Sequence, residues 1–232
     1  MPNITLVLAV KSIDETLTKK CVASINMQTH EFEVIVVDGG CSEPVLKILN
    51  SINKKNITII KSEPKGIYNA YNIGITQLKG GYAFFMGVDD SFCDCDSVLN
   101  AFKELEKRRV PILLLTCFLE INKNRKKFPI LYCCEKLLYR FSPMMHHQGL
   151  LVDTRILKQY KFDEKLKIFA DQVQFNDLKR IYDVQFSKVN FIISKSGGAS
   201  TSGGLSVKNE ARLLGFHTFY SRLIYKLFFV LR

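Results

Sequence analysis

Two adjacent carboxylates, Asp89 and Asp90, close the apolar, aromatic run Tyr82–Val88. The run reads as a buried strand, and open α/β sheets bind ligands beyond the carboxyl ends of their strands. Two hard oxygen donors at that edge suit a divalent cation, Mg²⁺ or Mn²⁺, held against substrate phosphates. The alternative is a helix start signal, because Asp is a favoured N-cap and a helical pattern follows from Ser97. A second polar group lies within Ser62-Glu63-Pro64-Lys65-Gly66-Ile67-Tyr68-Asn69-Ala70-Tyr71-Asn72-Ile73-Gly74. There Gly66 lets backbone approach a ligand, and Lys65 suits a phosphate. Asn69 and Asn72 stand three apart on an otherwise apolar helix, facing either a ligand or solvent.

The elements that must position these residues alternate in type. Strand patterns at Ile4–Val10, Phe32–Val37, Ile57–Ile60, Tyr82–Val88 and Ile112–Phe118 are separated by helical patterns. The helices read as Glu15–Gln28, Glu43–Asn53, Gly66–Leu78 and Ser97–Lys107. Such alternation predicts an α/β fold with a mostly parallel sheet, right-handed crossovers and flanking helices. Asp38, at the end of the second strand, then reaches the same sheet edge as Asp89 and Asp90. Beyond residue 120 the alternation stops. Asn122–Lys127 reads as a basic loop or turn, His146–Val152 as a strand and Asp153–Tyr160 as a short helix. Asp171–Tyr182 reads as a helix, Val184–Ile193 as a strand and Gly197–Gly204 as a mobile loop.

The chain has 232 residues, 47% of them apolar, enough for one sizeable core. Its formal charge of +11 attracts polyanions, although no nucleic-acid recognition motif accompanies it. The seven cysteines are irregularly spaced and match no zinc pattern, which predicts reduced thiols and a cytosolic setting. No secretory leader pattern opens the chain, and no stretch reaches the ~18 apolar residues of a membrane span. The segment Val207–Arg232 carries Leu213, Phe216, Tyr220, Leu223, Leu227 and Val230 at helical spacing among Arg212, Arg222, Lys226 and Arg232. Such a basic amphipathic helix either lies in a membrane interface or packs back on the domain.

Taken in order, Asp38-Gly39-Gly40, the Ser62–Gly74 stretch and Gly81-Tyr82 leading to Asp89-Asp90 resemble the family 2 glycosyltransferases. These are inverting enzymes of GT-A fold that use nucleotide-diphosphate sugars. The resemblance continues through His147-Gln148, Asp171 ahead of Phe175, and Gly197-Gly198-Ala199-Ser200, covering roughly residues 4–202. It implies a GT-A domain over 1–204, with a nucleotide-sugar half at 1–120 and an acceptor half at 121–204, and a C-terminal helix at 205–232. By the resemblance, Asp38 recognises the nucleobase, with uracil suited by its imide N–H. Lys65, Gly66, Asn69, Asn72 and Asp89 serve the donor nucleotide, and Asp90 with Asp89 holds Mn²⁺ or Mg²⁺. Asp171 matches the catalytic base, with Glu164 and Asp177 weaker competitors, and His147 and Gln148 line the acceptor side. Helix capping is the bland alternative for Asp171, and turn formation for Asp38. Three features depart from the family pattern. No acidic residue stands between Pro64 and Lys65, Asn69 stands where Asp is usual, and Val10-Lys11-Ser12-Ile13-Asp14 replaces the usual segment after the first strand.

The expectation is an inverting, metal-dependent transfer of sugar from a UDP-sugar to a glycan. The acceptor is expected on a lipid such as undecaprenyl diphosphate, in O-antigen or exopolysaccharide assembly on the inner face of the cell membrane. Two other classes compete: a nucleotidyltransferase, which would carry a glycine-rich loop where Ala9–Thr16 has none, and a non-catalytic nucleotide-sugar-binding protein.

Overall fold

The computed structural model describes residues 3–11, 14–121, 124–128, 146–195, 209–210 and 214. The expected Gly197–Gly204 loop lies outside the described residues, as does the C-terminal segment apart from Asn209, Glu210 and Leu214.

The first half follows the sequence pattern closely. It runs β1 (Ile4–Val10), α1 (Glu15–Asn26), β2 (Glu33–Asp38), α2 (Glu43–Leu49), β3 (Ile57–Lys61), α3 (Ile67–Gln77) and β4 (Tyr82–Met86). Then come β5 (Asp90–Phe92), α4 (Ser97–Arg108), β6 (Ile112–Ile121) and β7 (Asn124–Phe128). A 3₁₀ turn (His147–Gly149) leads into β8 (Leu150–Asp153), followed by α5 (Thr154–Gln159), α6 (Ala170–Ile181) and β9 (Val184–Lys195).

The sheet order is β3-β2-β1-β4-β8-β6-β9-β5, with β7 paired to β6. Strands β1 to β4 pair in parallel, as do β6 and β9. Antiparallel pairing enters through β8, β7 and β5. Alternate residues of each strand feed opposite faces. Leu6, Leu8 and Val10 pack with Cys21, Ile25, Val45, Leu49 and Leu105 on one side. Val7, Ala9, Ile35 and Val37 pack with Tyr71, Ile75, Phe175 and Leu178 on the other. Each fully buried side chain of this size contributes about 1.5–3 kcal/mol. Two apolar layers therefore clamp the parallel strands and hold their carboxyl ends in register.

Two elements correct the sequence expectation. The basic stretch read as a loop, Asn122–Lys127, instead supplies β7, whose ladder with β6 runs from Cys117↔Phe128 to Ile121↔Asn124. Backbone pairing to a ten-residue strand recruits it despite its polar composition. The strand expected to continue to Val88 ends at Met86, and Asp90 begins a separate three-residue strand.

Candidate active site

Register brings the first acidic residue to the sheet edge. Val10, Asp38 and Lys61 are cross-strand partners, so β1, β2 and β3 end flush. Asp38 is buried, and its Oδ1 accepts the amides of Gly40 at 3.0 Å and Cys41 at 2.8 Å. This Asx turn needs the positive φ of Gly40, 96°. With Oδ1 committed to the turn, any nucleobase contact falls to Oδ2.

The loop from β3 to α3 splits into two behaviours. Lys65 is exposed and pairs with Glu63 at 3.0 Å, which raises its pKa, and Gly66 (φ 113°) caps α3. Asn69 and Asn72 instead turn towards the segment before α6. Both donate to the Glu164 carboxylate at 2.8 Å. Asn72 also exchanges two hydrogen bonds with the Phe162 backbone, at 2.9 and 3.0 Å. The two carboxamides thus bracket residues 162–164, and their hydrogen bonds hold Glu164 ionised. Asp177 pairs with Arg180 on an exposed face of α6.

The aspartate pair occupies the tight connection between β4 and β5. Asp90 is buried; its Oδ2 accepts the Gly87 amide at 2.8 Å and its Oδ1 accepts the Ser194 hydroxyl at 2.5 Å. Burial, followed by the neighbouring Asp89 charge, pushes its pKa up to about 6. Asp89 is half-buried, and a Cβ at Gly87 would stand 2.6 Å from Asp89 Oδ1. Glycine therefore gives the Asp89 carboxylate its room. Among the described residues no group of three or more His, Cys, Asp or Glu side chains forms a closed metal cage. A Mg²⁺-like ion bound between carboxylates and phosphates needs only one or two protein ligands. Each Asp90 oxygen keeps a lone pair beyond its single hydrogen bond, so the pair fits such an ion.

The third acidic residue opens α6. Asp171 Oδ1 accepts the Gln172 amide at 2.8 Å and lies 3.0 Å from the Tyr68 hydroxyl, while Oδ2 meets His147 Nδ1 at 2.7 Å. Burial alone would raise the Asp171 pKa, but the His147 charge and these hydrogen bonds bring it below the usual carboxylate value. His147 shows the converse: burial opposes its charge, and Asp171 overrides it and raises its pKa. The 3₁₀ turn that carries His147 approaches β6 closely, since a Cβ on Gly149 would lie 2.6 Å from Leu115 O. Gln148 Oε1 faces His146 Nδ1 at 3.0 Å.

Tyr71 Oη and His147 Nε2 are buried polar atoms with no hydrogen-bond partner among the described residues. Their rings lie 6.0 Å apart. Burial and the charges of Asp90, Asp171 and Asp89 push the Tyr71 pKa far up, so its hydroxyl stays protonated. The same three carboxylates act on His147. Buried polar atoms without partners mark places where a ligand or water completes the hydrogen bonding. The structure thus joins Asp89, Asp90, His147 and Asp171 electrostatically around these atoms, and leaves Asn69, Asn72 and Gln148 in other contacts.

Residues 9–148 match the sequence model described as Glycosyl transferase family 2. The chain belongs to this family. The PGL/p-HBAD biosynthesis glycosyltransferase of Mycobacterium bovis (strain BCG / Pasteur 1173P2) is 33% identical over 82 residues, 34% of this chain and 32% of that protein. Glycosyltransferase GlyA of Streptococcus pneumoniae serotype 4 is 28% identical over 113 residues, covering 47% of this chain and 16% of GlyA. The chain thus spans about a third or less of the curated relatives it matches. Among solved structures, S. aureus TarS 1-349 in complex with UDP-GlcNAc superposes with a TM-score of 0.73 at 17% identity, over 91% of this chain and 65% of that one. The mannosyltransferase PcManGT from Pyrobaculum calidifontis, in complex with GDP-Man and Mn²⁺, gives 0.61 at 16%, over 88% and 58%. The fold is GT-A, as the sequence of this family 2 chain predicts.

Sequence reasoning missed Tyr68, Tyr71 and Ser194. The tyrosines lie within the Ser62–Gly74 stretch without standing out as polar groups, and no local signal marks Ser194. It meets Asp90 only because β9 pairs with β5 in the register Asp90↔Ser194.

Proposed function

We propose that this chain transfers a sugar from a nucleoside diphosphate sugar, with UDP as the nucleotide, to a glycan hydroxyl with inversion at the anomeric carbon. The observation that carries this reading is the pair of partnerless buried atoms, Tyr71 Oη and His147 Nε2, under the charges of Asp89, Asp90 and Asp171. Asp38, Lys65, Gly66 and Asp89 serve the nucleotide. Asp89 and Asp90 would hold Mn²⁺ or Mg²⁺, which when bound supplies Lewis-acid neutralisation of the diphosphate. Asp171 accepts the acceptor hydroxyl's proton as that oxygen bonds to the anomeric carbon. The bond from that carbon to the diphosphate oxygen breaks, and its electron pair leaves with the nucleotide. Attack opposite the leaving group inverts the centre.

Each Asp171 oxygen has a defined partner, so the base keeps one orientation. His147 keeps it anionic, and the buried surroundings exclude competing water. The basic amphipathic stretch Val207–Arg232 supports an acceptor carried on a lipid diphosphate, in surface-polysaccharide assembly at the inner membrane face. No helix among the described residues is long and apolar enough to cross a membrane. The test is a screen of UDP- and GDP-sugars for nucleotide release with Mn²⁺, Mg²⁺ or chelator. Metal-dependent release from a UDP-sugar supports the reading; full activity in chelator contradicts the role of Asp89 and Asp90.

A further inference from the structure

Glu210 lies far along the chain from the acidic residues described above, yet its carboxylate is buried against the entrance of α6. Its Oε1 accepts the Lys167 amide at 2.6 Å, and its Oε2 accepts the amides of Ile168 and Phe169, both at 2.8 Å. Three consecutive backbone donors converge on one anion. Glu210 is itself set in a helical turn, with its carbonyl accepting the Leu214 amide at 3.0 Å.

The residues it grips are the ones that aim Asp171. Phe169 is the N-cap residue of α6, and its own side chain supplies no cap. Glu210 therefore provides from a distance the anion that a helix start favours. The Ile168 carbonyl accepts the Tyr68 hydroxyl at 2.6 Å, and that same hydroxyl lies 3.0 Å from Asp171 Oδ1. Moving Ile168 moves Tyr68, and moving the first turn of α6 moves Asp171 and Gln172. Charge-assisted bonds to backbone amides are among the stronger hydrogen bonds, and a buried amide left without an acceptor is costly. The grip is thus stiff where catalysis needs a fixed carboxylate.

We propose that Glu210 is a positioning residue for Asp171: it clamps the backbone of residues 167–169 so that the carboxylate keeps its orientation towards His147 and the acceptor. This rests on Asp171 being the base. Glu210 is then part of the acceptor-side machinery, and chains ending before it lose turnover.

The experiment compares Glu210→Gln, Glu210→Asp, Asp171→Asn and wild type. Three readouts are taken: Mn²⁺-dependent UDP affinity, nucleotide release from the best UDP-sugar of the screen, and the ¹⁵N resonances of the His147 ring across pH. Glu210→Gln keeps UDP affinity but loses turnover roughly 10–100-fold, the effect of about 1 Å of misplacement. His147 in that variant titrates nearer its ordinary value, because the carboxylate that raises it has moved. Glu210→Asp keeps the anion and recovers part of both effects; it also serves as the folded probe if the glutamine variant does not fold. Wild-type turnover and an unchanged His147 titration in both Glu210 variants overturn the proposal, provided that Asp171→Asn is inactive. Parallel loss of UDP affinity and turnover, with His147 unchanged, reduces Glu210 to general stability and overturns it too. Full activity of Asp171→Asn instead removes the base assignment, and the proposal falls with it.

Discussion

His147 Nδ1 lies 2.7 Å from Asp171 Oδ2, with side chains only 20% and 16% exposed. Each member of the pair overcomes the burial that opposes its ionised form. Its pH signature has a defined sign. A histidine raised in the fold stabilises fully below its unfolded value, near pH 6.5, and loses that contribution as pH climbs through the folded value. An aspartate lowered in the fold stabilises above about pH 4 and loses that contribution as pH falls through its folded value. Wild type should therefore exceed His147→Gln in melting temperature most between about pH 4 and pH 6.5. Thermal melts over a pH series check this, and an advantage that grows steadily into alkaline pH contradicts it.

Ser194→Ala removes the hydroxyl that donates to Asp90 Oδ1. The carboxylate then loses an orienting bond, and Mn²⁺-dependent UDP binding should weaken by roughly tenfold, as for other groups that orient metal ligands. Calorimetric titration of UDP with and without Mn²⁺ separates this from a direct nucleotide effect.

Gly87→Ala and Gly149→Ala should differ in kind. A Cβ at Gly87 meets the mobile end of Asp89, so Asp89 shifts, stability changes little and Mn²⁺–UDP affinity falls. A Cβ at Gly149 meets the Leu115 backbone and Cys117 Sγ, which costs about 1–3 kcal/mol of stability. Denaturant unfolding of both variants, with UDP titration of the first, tests the contrast.

Asn72→Ala leaves the buried Phe162 amide without its acceptor and should cost about 1–3 kcal/mol. UDP affinity should stay near wild type, because the carboxamide holds residues 162–164. A selective loss of UDP binding at unchanged stability would restore Asn72 to the nucleotide.

Removing residues 215–232 keeps Glu210 and tests the membrane reading separately. Co-sedimentation with anionic vesicles should disappear while nucleotide release from the donor persists. Unchanged partitioning contradicts an interfacial role for that segment.

The frame of this fold is legible in the sequence because apolar runs and helical spacing follow the chain locally. Asp38, Asp89, Asp90 and Asp171 are legible too, since charges beside apolar strands and helix starts stand out. Where pairing rather than composition decides, legibility ends. Asn124–Phe128 is a strand only through its ladder with β6, and Asp90–Phe92 only through β9. The partners that tune the acids come from far along the chain, as Ser194 does for Asp90 and Tyr68 for Asp171. Asn69 and Asn72 show a second limit of the same kind. Their polarity on an apolar helix is visible, but their attachment to Glu164 is tertiary.

In the proposed reaction Asp171 takes the acceptor's proton while Asp89 and Asp90 serve the donor. Asp171→Asn preserves shape and removes the base, so its transfer rate and its Mn²⁺-dependent UDP affinity should be measured together. Affinity is expected near wild type and turnover lower by at least about 10²-fold, the lower end of general-base catalysis. Transfer at the wild-type rate by a variant that still binds UDP would contradict it.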